Sequence, residues 1–127
     1  MKRYIGLAVA MLAGAAIGAA AVSSLHAQAK LKAYSVTEQS VLDASALKTY
    51  VPAVQAALKA AGGHQLNTQG KVVAIMGAAP PQRVIINEWD SIDQAQAFYK
   101  SKAYLDLVPQ RDKALNVSRV YLVETVK

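Results

Sequence analysis

The 127-residue chain contains no cysteine, and it has only two histidines, one tryptophan and one phenylalanine. The missing cysteines exclude a disulfide scaffold, a thiol nucleophile and a cysteine zinc site. No cluster of histidine and carboxylate residues has ligand spacing, and no phosphate-binding loop or Gly-x-Ser-x-Gly elbow is present. We therefore expect no metal and no cofactor. The sequence does not disclose a reaction, and it leaves open whether the protein is an enzyme.

The charge balance is mildly basic, with 14 Lys and Arg against 8 Asp and Glu. The basic residues are scattered along the chain, whereas nucleic-acid binders cluster them or interleave them with aromatic residues. We therefore expect no nucleic-acid partner. The hydrophobic fraction of 54% excludes a disordered protein, and the length predicts one folded domain.

The N-terminus has the pattern of a secretory signal peptide, residues 1–29. Lys2 and Arg3 precede an apolar run over 5–22, and Ala27-Gln28-Ala29 fits the small-x-small cleavage rule. Cleavage after Ala29 leaves a domain of residues 30–127 in the periplasm or outside the cell, with no membrane association. The alternative is an uncleaved anchor, but 18 residues rich in Ala and Gly are short for a span of about 20 strongly apolar residues.

Residues 30–127 alternate between strand and helix patterns. An apolar stripe from Leu47 to Leu58 predicts a helix that ends at Gly62-Gly63. Ser91 and Gln94 have the spacing of a capping box at the start of a second helix, and a short helix is expected over 104–113. Strands are predicted over 32–38, 64–68, 71–76, 83–89 and 118–126.

The resulting order, β-α-β-β-β-α-β, predicts an α+β fold: a ferredoxin-like split βαβ unit with an added hairpin, whose antiparallel sheet is covered by helices on one face. The strands are apolar on both faces, since Val84 and Ile86 point away from Ile85 and Trp89. Two helices cover one face only, and the other would be a large exposed apolar patch. We therefore expect a homodimer in which the two sheets face each other.

The second half of the chain resembles the domain-of-unknown-function family 1330. The most specific stretch begins at Glu88, continues through Phe98-Tyr99-x-Ser101-x-x-Tyr104 and ends at Arg111, and the resemblance extends over about residues 31–126. It implies a dimeric α/β barrel. Relatives in that superfamily include cofactor-independent monooxygenases, isomerases of small cyclic acids and haem-handling enzymes, whose catalytic residues differ, so no role transfers here. His64 departs from the family pattern, which more usually has a basic Arg or Lys there.

The best candidates for a ligand site are Tyr99, Tyr104 and Arg111. Arg111 is seven residues after Tyr104, about two helical turns, so the two share one face. A guanidinium beside phenols suits a small carboxylate or enolate. Tyr50 and Trp89 complete the expected ligand-binding set, and His64 and Glu88 are the weak candidates for a catalytic base.

These residues support three hypotheses. In the first, the exported dimer binds a small organic ligand, acidic ones included, in the cleft between sheet and helices, with or without cofactor-independent chemistry. In the second it is a structural or accessory dimer without catalytic activity, whose Arg111 pairs with Asp106, Asp112 or Glu88 while the tyrosines fill the core. In the third, which rests on the haem-handling members of the superfamily together with His64, it is a haem-handling enzyme.

Overall fold

The computed structural model describes residues 30–127, and the predicted signal peptide lies outside these residues. Four strands form one antiparallel sheet in the order β2-β3-β1-β4. The fold is therefore α+β, as the sequence predicted. The strands are β1 (Ala33–Val41), β2 (His64–Gln65), β3 (Arg83–Trp89) and β4 (Leu115–Glu124), and the helices are α1 (Ala44–Ala60), α2 (Ile92–Lys100), α3 (Lys102–Leu105) and α4 (Val108–Ala114). Within this part of the chain no helix is long and apolar enough to cross a membrane.

The structure differs from the prediction between β2 and β3. Residues 71–76, predicted to be a strand, form none, and β2 has only two residues. After Leu66 N donates to the Ile86 carbonyl, the Thr68 amide turns back to the Leu66 carbonyl. The chain thus leaves the sheet, and Ile75 and Met76 are each 93% exposed. Alternation of apolar residues indicated a strand, but these residues have no neighbouring strand to pair with.

A smaller difference concerns the predicted helix over 104–113. It is divided into α3 and α4, and Pro109 lies in the first turn of α4, where its missing N–H is not needed. The capping box at Ser91 is present in modified form. The Ser91 hydroxyl accepts from Gln94 N, while Gln94 Oε1 accepts from the amide of Asp90, one residue before the cap.

The end of α1 is fixed by two glycines. Gly62 has a φ of 84°, a conformation that glycine adopts without strain. The Gly63 amide donates to the Leu58 carbonyl, which closes the last turn. A Cβ on Gly63 would lie 2.8 Å from both a Leu58 methyl and the Trp89 ring, so this position packs directly against the core.

The two faces of the sheet have different environments. On the face that the helices cover, Ala33, Ser35 and Trp89 are at most 1% exposed. The opposite face, which we call the open face, carries Tyr34, Val36, Ile86, Tyr121 and Val123, which lie beside one another in the register of β1 with β3 and β4. Tyr121 and Val123 are 43% and 47% exposed. The helices thus cover one face only, as the sequence predicted.

Candidate functional site

A cavity of about 80 Å³ lies between α1 and the helix-covered face of the sheet. That volume is enough for several water molecules or for one small organic molecule. Its apolar wall comes from both helices and strands: Val51, Val54, Leu58, Ile85, Phe98 and Leu115. Three phenols also line it, those of Tyr50, Tyr99 and Tyr104.

The floor of the cavity is polar, although it lies where a sheet normally presents its apolar core. Thr37 and Gln39 of β1 and Asn87 of β3 line it. Ser35 pairs with Asn87 across the two strands, and Gln39 pairs with Arg83. Because directly paired residues share a face, these side chains form one row under the helices. A polar row in this position requires hydrogen-bond partners, since burying a polar group without one is costly.

Asn87 lacks one of those partners. Its Nδ2 donates to Ser35 Oγ at 3.1 Å, and Trp89 Nε1 donates to the same oxygen at 3.1 Å. Asn87 is only 7% exposed, and its Oδ1 is buried with no hydrogen-bond partner among the described residues. An unsatisfied buried acceptor costs about 1–3 kcal/mol. A ligand that donates a hydrogen bond to this oxygen would remove that cost.

Two of the phenols, those of Tyr99 and Tyr104, form a tight cluster with Phe98. The ring of Tyr99 is 5.0 Å from that of Tyr104 and 5.2 Å from that of Phe98, both in edge-on geometry. Burial raises the pKa of Tyr50 and that of Tyr99, although the nearby polar side chains of Ser35, Thr37 and Asn87 oppose the rise at Tyr99. Both phenols therefore keep their protons at neutral pH and serve as hydrogen-bond donors rather than bases.

Arg111 and Trp89 do not line the cavity but contact residues that do. Arg111 Nη1 donates to the Tyr104 hydroxyl at 3.0 Å, and its Nε donates to Asp112 Oδ1 at 2.8 Å. Partial burial lowers the pKa of Arg111, but these two hydrogen bonds outweigh it and leave the pKa raised. Arg111 thus orients Tyr104, and Trp89 packs on Phe98 at a ring distance of 5.2 Å. Their predicted ligand contact stays a prediction.

The two candidate bases lie on the other side of the sheet. His64 is exposed and pairs in register with Glu88, which faces away from the cavity. Lys32 Nζ is 2.5 Å from Glu88 Oε1, and the Tyr34 hydroxyl donates to Oε2 at 3.1 Å. These two hydrogen bonds lower the pKa of Glu88. At neutral pH Glu88 is therefore a paired carboxylate at the edge of the open face.

The charge of the cavity is positive. Among its lining residues in the described part of the chain there is no Asp, Glu or His, and Arg83 supplies the only full charge. Arg83 is half-buried, and no carboxylate of residues 30–127 lies within salt-bridge distance of its guanidinium. In the same residues, no group of three potential metal ligands occurs. The arrangement supplies hydrogen-bond donors, acceptors that include the unpartnered Asn87 Oδ1, and one cation, which suits the binding of a ligand.

Sequence reasoning found the three tyrosines but not the polar floor. The signal was present in β1, where Ser35, Thr37 and Gln39 alternate with Tyr34 and Val36. The pattern shows two faces, one polar and one apolar. The sequence analysis assigned neither face of β1 to the helices, and the structure places the polar face under them.

The family model described as "Domain of unknown function (DUF1330)" matches residues 32–126. The chain belongs to the DUF1330 family. No curated protein matches this chain.

Among solved structures, the DUF1330 chain is similar to RPA0582, a protein of unknown function from Rhodopseudomonas palustris, with 16% identity and a TM-score of 0.62 over 84% of this chain and 92% of that one. The methylated form of RPA0582 gives a TM-score of 0.60 at 16% identity, over 84% of this chain and 90% of that one. A conserved protein from Methanosarcina mazei Go1 gives a TM-score of 0.47 at 11% identity, over 79% of this chain and 96% of that one. The similarity to RPA0582 supports the fold and carries no information on activity.

Proposed function

We propose that this DUF1330 protein binds a small organic molecule in the cavity between α1 and the sheet. The observation that carries the proposal is the buried Oδ1 of Asn87, an acceptor without a partner on the floor of a cavity of about 80 Å³. Protonated phenols and a lone guanidinium complete a set of groups that can hold a ligand in one orientation.

The proposal includes a homodimer formed through the open face. Its centre is apolar, with Val36, Ile86 and Tyr121 side by side. The charged groups around it are already paired within one chain: Lys32 with Glu88, and Arg119 with Glu38 at 2.8 Å. An apolar centre with a polar rim is the usual anatomy of a protein interface. A second copy would bury this patch without leaving charges unpaired.

We also propose export, on the basis of the sequence pattern of residues 1–29. Protein purified after expression of the full chain in a bacterial host should then begin at Lys30. Its intact mass decides the point, because a mass that includes residues 1–29 contradicts cleavage.

The binding proposal is tested by filling the cavity. Val54 lines it from α1, so Val54→Phe would occupy ligand space. The control is Ala56→Phe, which adds the same ring to an exposed position of the same helix. Calorimetric titration with a panel of small aromatic and alicyclic acids and phenols should show binding to the natural protein and to Ala56→Phe, with at least a tenfold loss in Val54→Phe. Equal affinities in the two variants, or no binding by any protein, would contradict the proposal.

A second function, an accessory dimer without a ligand, is favoured by one observation. Arg111 and Glu88, two of the residues considered for chemistry, are both held in intramolecular pairs. If the cavity binds nothing in the titration, the accessory dimer is the better account of this chain.

A further inference from the structure

We infer that the ligand of this cavity is a hydroxylated carboxylic acid, held with its hydroxyl on Asn87 and its carboxylate toward Arg83. The inference rests on the proposed function and names the class of molecule that the cavity accepts. Two features of β3 with different chemistry support it. Asn87 lies at one end of the part of the strand that lines the cavity, and Arg83 lies at the other.

The first feature is the orientation of the Asn87 amide. Ser35 Oγ accepts from both Asn87 Nδ2 and Trp89 Nε1. The indole nitrogen can only donate, and with Asn87 Nδ2 also bonded to Ser35, Asn87 Oδ1 is left as a buried acceptor without a partner on a residue that lines the cavity. The partner that satisfies it must be a donor. A ligand hydroxyl or amine fits, whereas a carboxylate oxygen would be repelled.

The second feature is the unpaired charge of Arg83. Arg83 and Asn87 are four residues apart on one strand, so both side chains lie on the same face, with their Cα atoms about 13 Å apart. The other arginines of the described chain behave differently: Arg111 pairs with Asp112, and Arg119 pairs with Glu38. A half-buried guanidinium is strongly attracted to a carboxylate, and its planar fork suits that group.

Between these ends the wall of the cavity is apolar and aromatic, and Thr37 and Gln39 continue its polar floor. Ile85 lies between Asn87 and Arg83 on the same face of the strand, and Val54, Leu58 and Phe98 lie around it. The body of the ligand is therefore a compact hydrocarbon, for which a single ring is a suitable probe. No carboxylate or histidine of the described residues lines the cavity to compete for the arginine.

Three probes of one shape separate these contacts. 4-Hydroxybenzoate carries both groups, 4-methylbenzoate replaces the hydroxyl with a methyl of similar size, and 4-methylphenol replaces the carboxylate in the same way. The series is repeated with the 3-substituted isomers, because the spacing of the two contacts fixes which isomer fits. We expect the better hydroxybenzoate to bind about tenfold more tightly than either methyl analogue, as loss of a buried hydrogen bond or ion pair requires.

Two variants assign each preference to its residue. In Asn87→Leu the preference for the hydroxyl over the methyl should disappear, while the preference for the carboxylate remains. In Arg83→Gln the preference for the carboxylate should disappear, while that for the hydroxyl remains. Arg119→Gln is the matched control, because it removes the same charge from the open face, and both preferences should persist. If Asn87→Leu does not fold, as judged by circular dichroism, Asn87→Ala replaces it.

The possible outcomes separate this inference from the proposed function. If 4-methylbenzoate or 4-methylphenol binds as tightly as the hydroxybenzoates to the natural protein, the ligand class is wrong while binding in the cavity stands. If the preferences persist in Asn87→Leu and Arg83→Gln, the assigned residues are wrong. If none of the probes binds and the wider panel is also negative, both the inference and the proposed function fail.

Discussion

At the residue scale, two positions on the covered side of the sheet have opposite requirements. Asn87 has an atom without a partner, and Gly63 has no room for an additional atom. Gly63 packs against the Trp89 ring, and Asn87 donates to the same Ser35 oxygen as Trp89 does. The single tryptophan is therefore held by its packing with Gly63 and by its hydrogen bond to Ser35. Substitutions here act on the packing of the core directly.

Gly63→Ala should destabilise the protein by about 1–3 kcal/mol, the usual result of overpacking a core. The added methyl would lie 2.8 Å from the Trp89 ring and from Leu58, both of which are nearly fully buried. Urea unfolding followed by tryptophan fluorescence measures the effect. Gly70→Ala is the control, because nothing lies within 4 Å of its added methyl, and its change should be within about 0.5 kcal/mol. Equal effects would show that the contact with Trp89 is not the cause.

At the element scale, α1 is the helix on which both the cavity and the core depend. It contributes Tyr50, Val54 and Leu58 to the cavity wall. Its N-terminus is capped by Asp43, whose Oδ1 accepts from the amides of Ser45 and Ala46 at 2.8 and 3.0 Å. Hydrogen bonding with Ser45 and the backbone lowers the pKa of Asp43.

Asp43→Ala should lower the melting temperature by several degrees at neutral pH, because two amides of the first turn lose their acceptor. Asp43→Asn keeps a capping oxygen and should retain most of the stability. A lowered pKa means that this stabilisation is present above the ordinary carboxyl value of 3.8 and is lost as the pH falls through the folded value. Thermal melts of the natural protein and Asp43→Asn should therefore converge in acid. Parallel curves down to pH 2 would contradict the assignment.

The elements also show what the sequence could predict. Outside residues 66–82, the succession of strands and helices follows from local signals. The glycine pair at 62–63 marks the end of α1, and the cap at Ser91 marks the start of α2. The strand expected over 71–76 does not form, since pairing depends on a distant partner that local alternation cannot reveal. The polar floor was missed for a related reason. Which face of β1 meets the helices is decided by the whole sheet and not by the residues of β1.

At the scale of the whole molecule, the open face is an apolar surface that no helix of the described chain covers. Tyr121 and Val123 remain exposed on it, whereas Ala33, Ser35 and Trp89 on the covered face are almost fully buried. A second copy would enlarge the small core that residues 30–127 bury on their own. If the dimer forms, its melting temperature depends on protein concentration, because dissociation accompanies unfolding.

Val123→Asp should convert the dimer to a monomer, since it places a carboxylate in the proposed interface beside Tyr34. Sedimentation equilibrium measures the mass directly. Val73→Asp is the matched control, the same substitution at a 59% exposed residue between β2 and β3, and it should leave the mass unchanged. A natural protein that sediments as a monomer at all concentrations would contradict the proposed interface.

The cavity has a further consequence for how the folded chain responds to its surroundings. Unfolding eliminates internal void space, so the unfolded chain and its water together occupy less volume than the folded protein. Hydrostatic pressure therefore favours unfolding, and it does so more strongly the larger the void. A molecule seated on Asn87 would bind the folded chain and not the unfolded one, which favours the folded state by mass action. The same contacts that select the ligand would thus also make the protein more resistant to pressure.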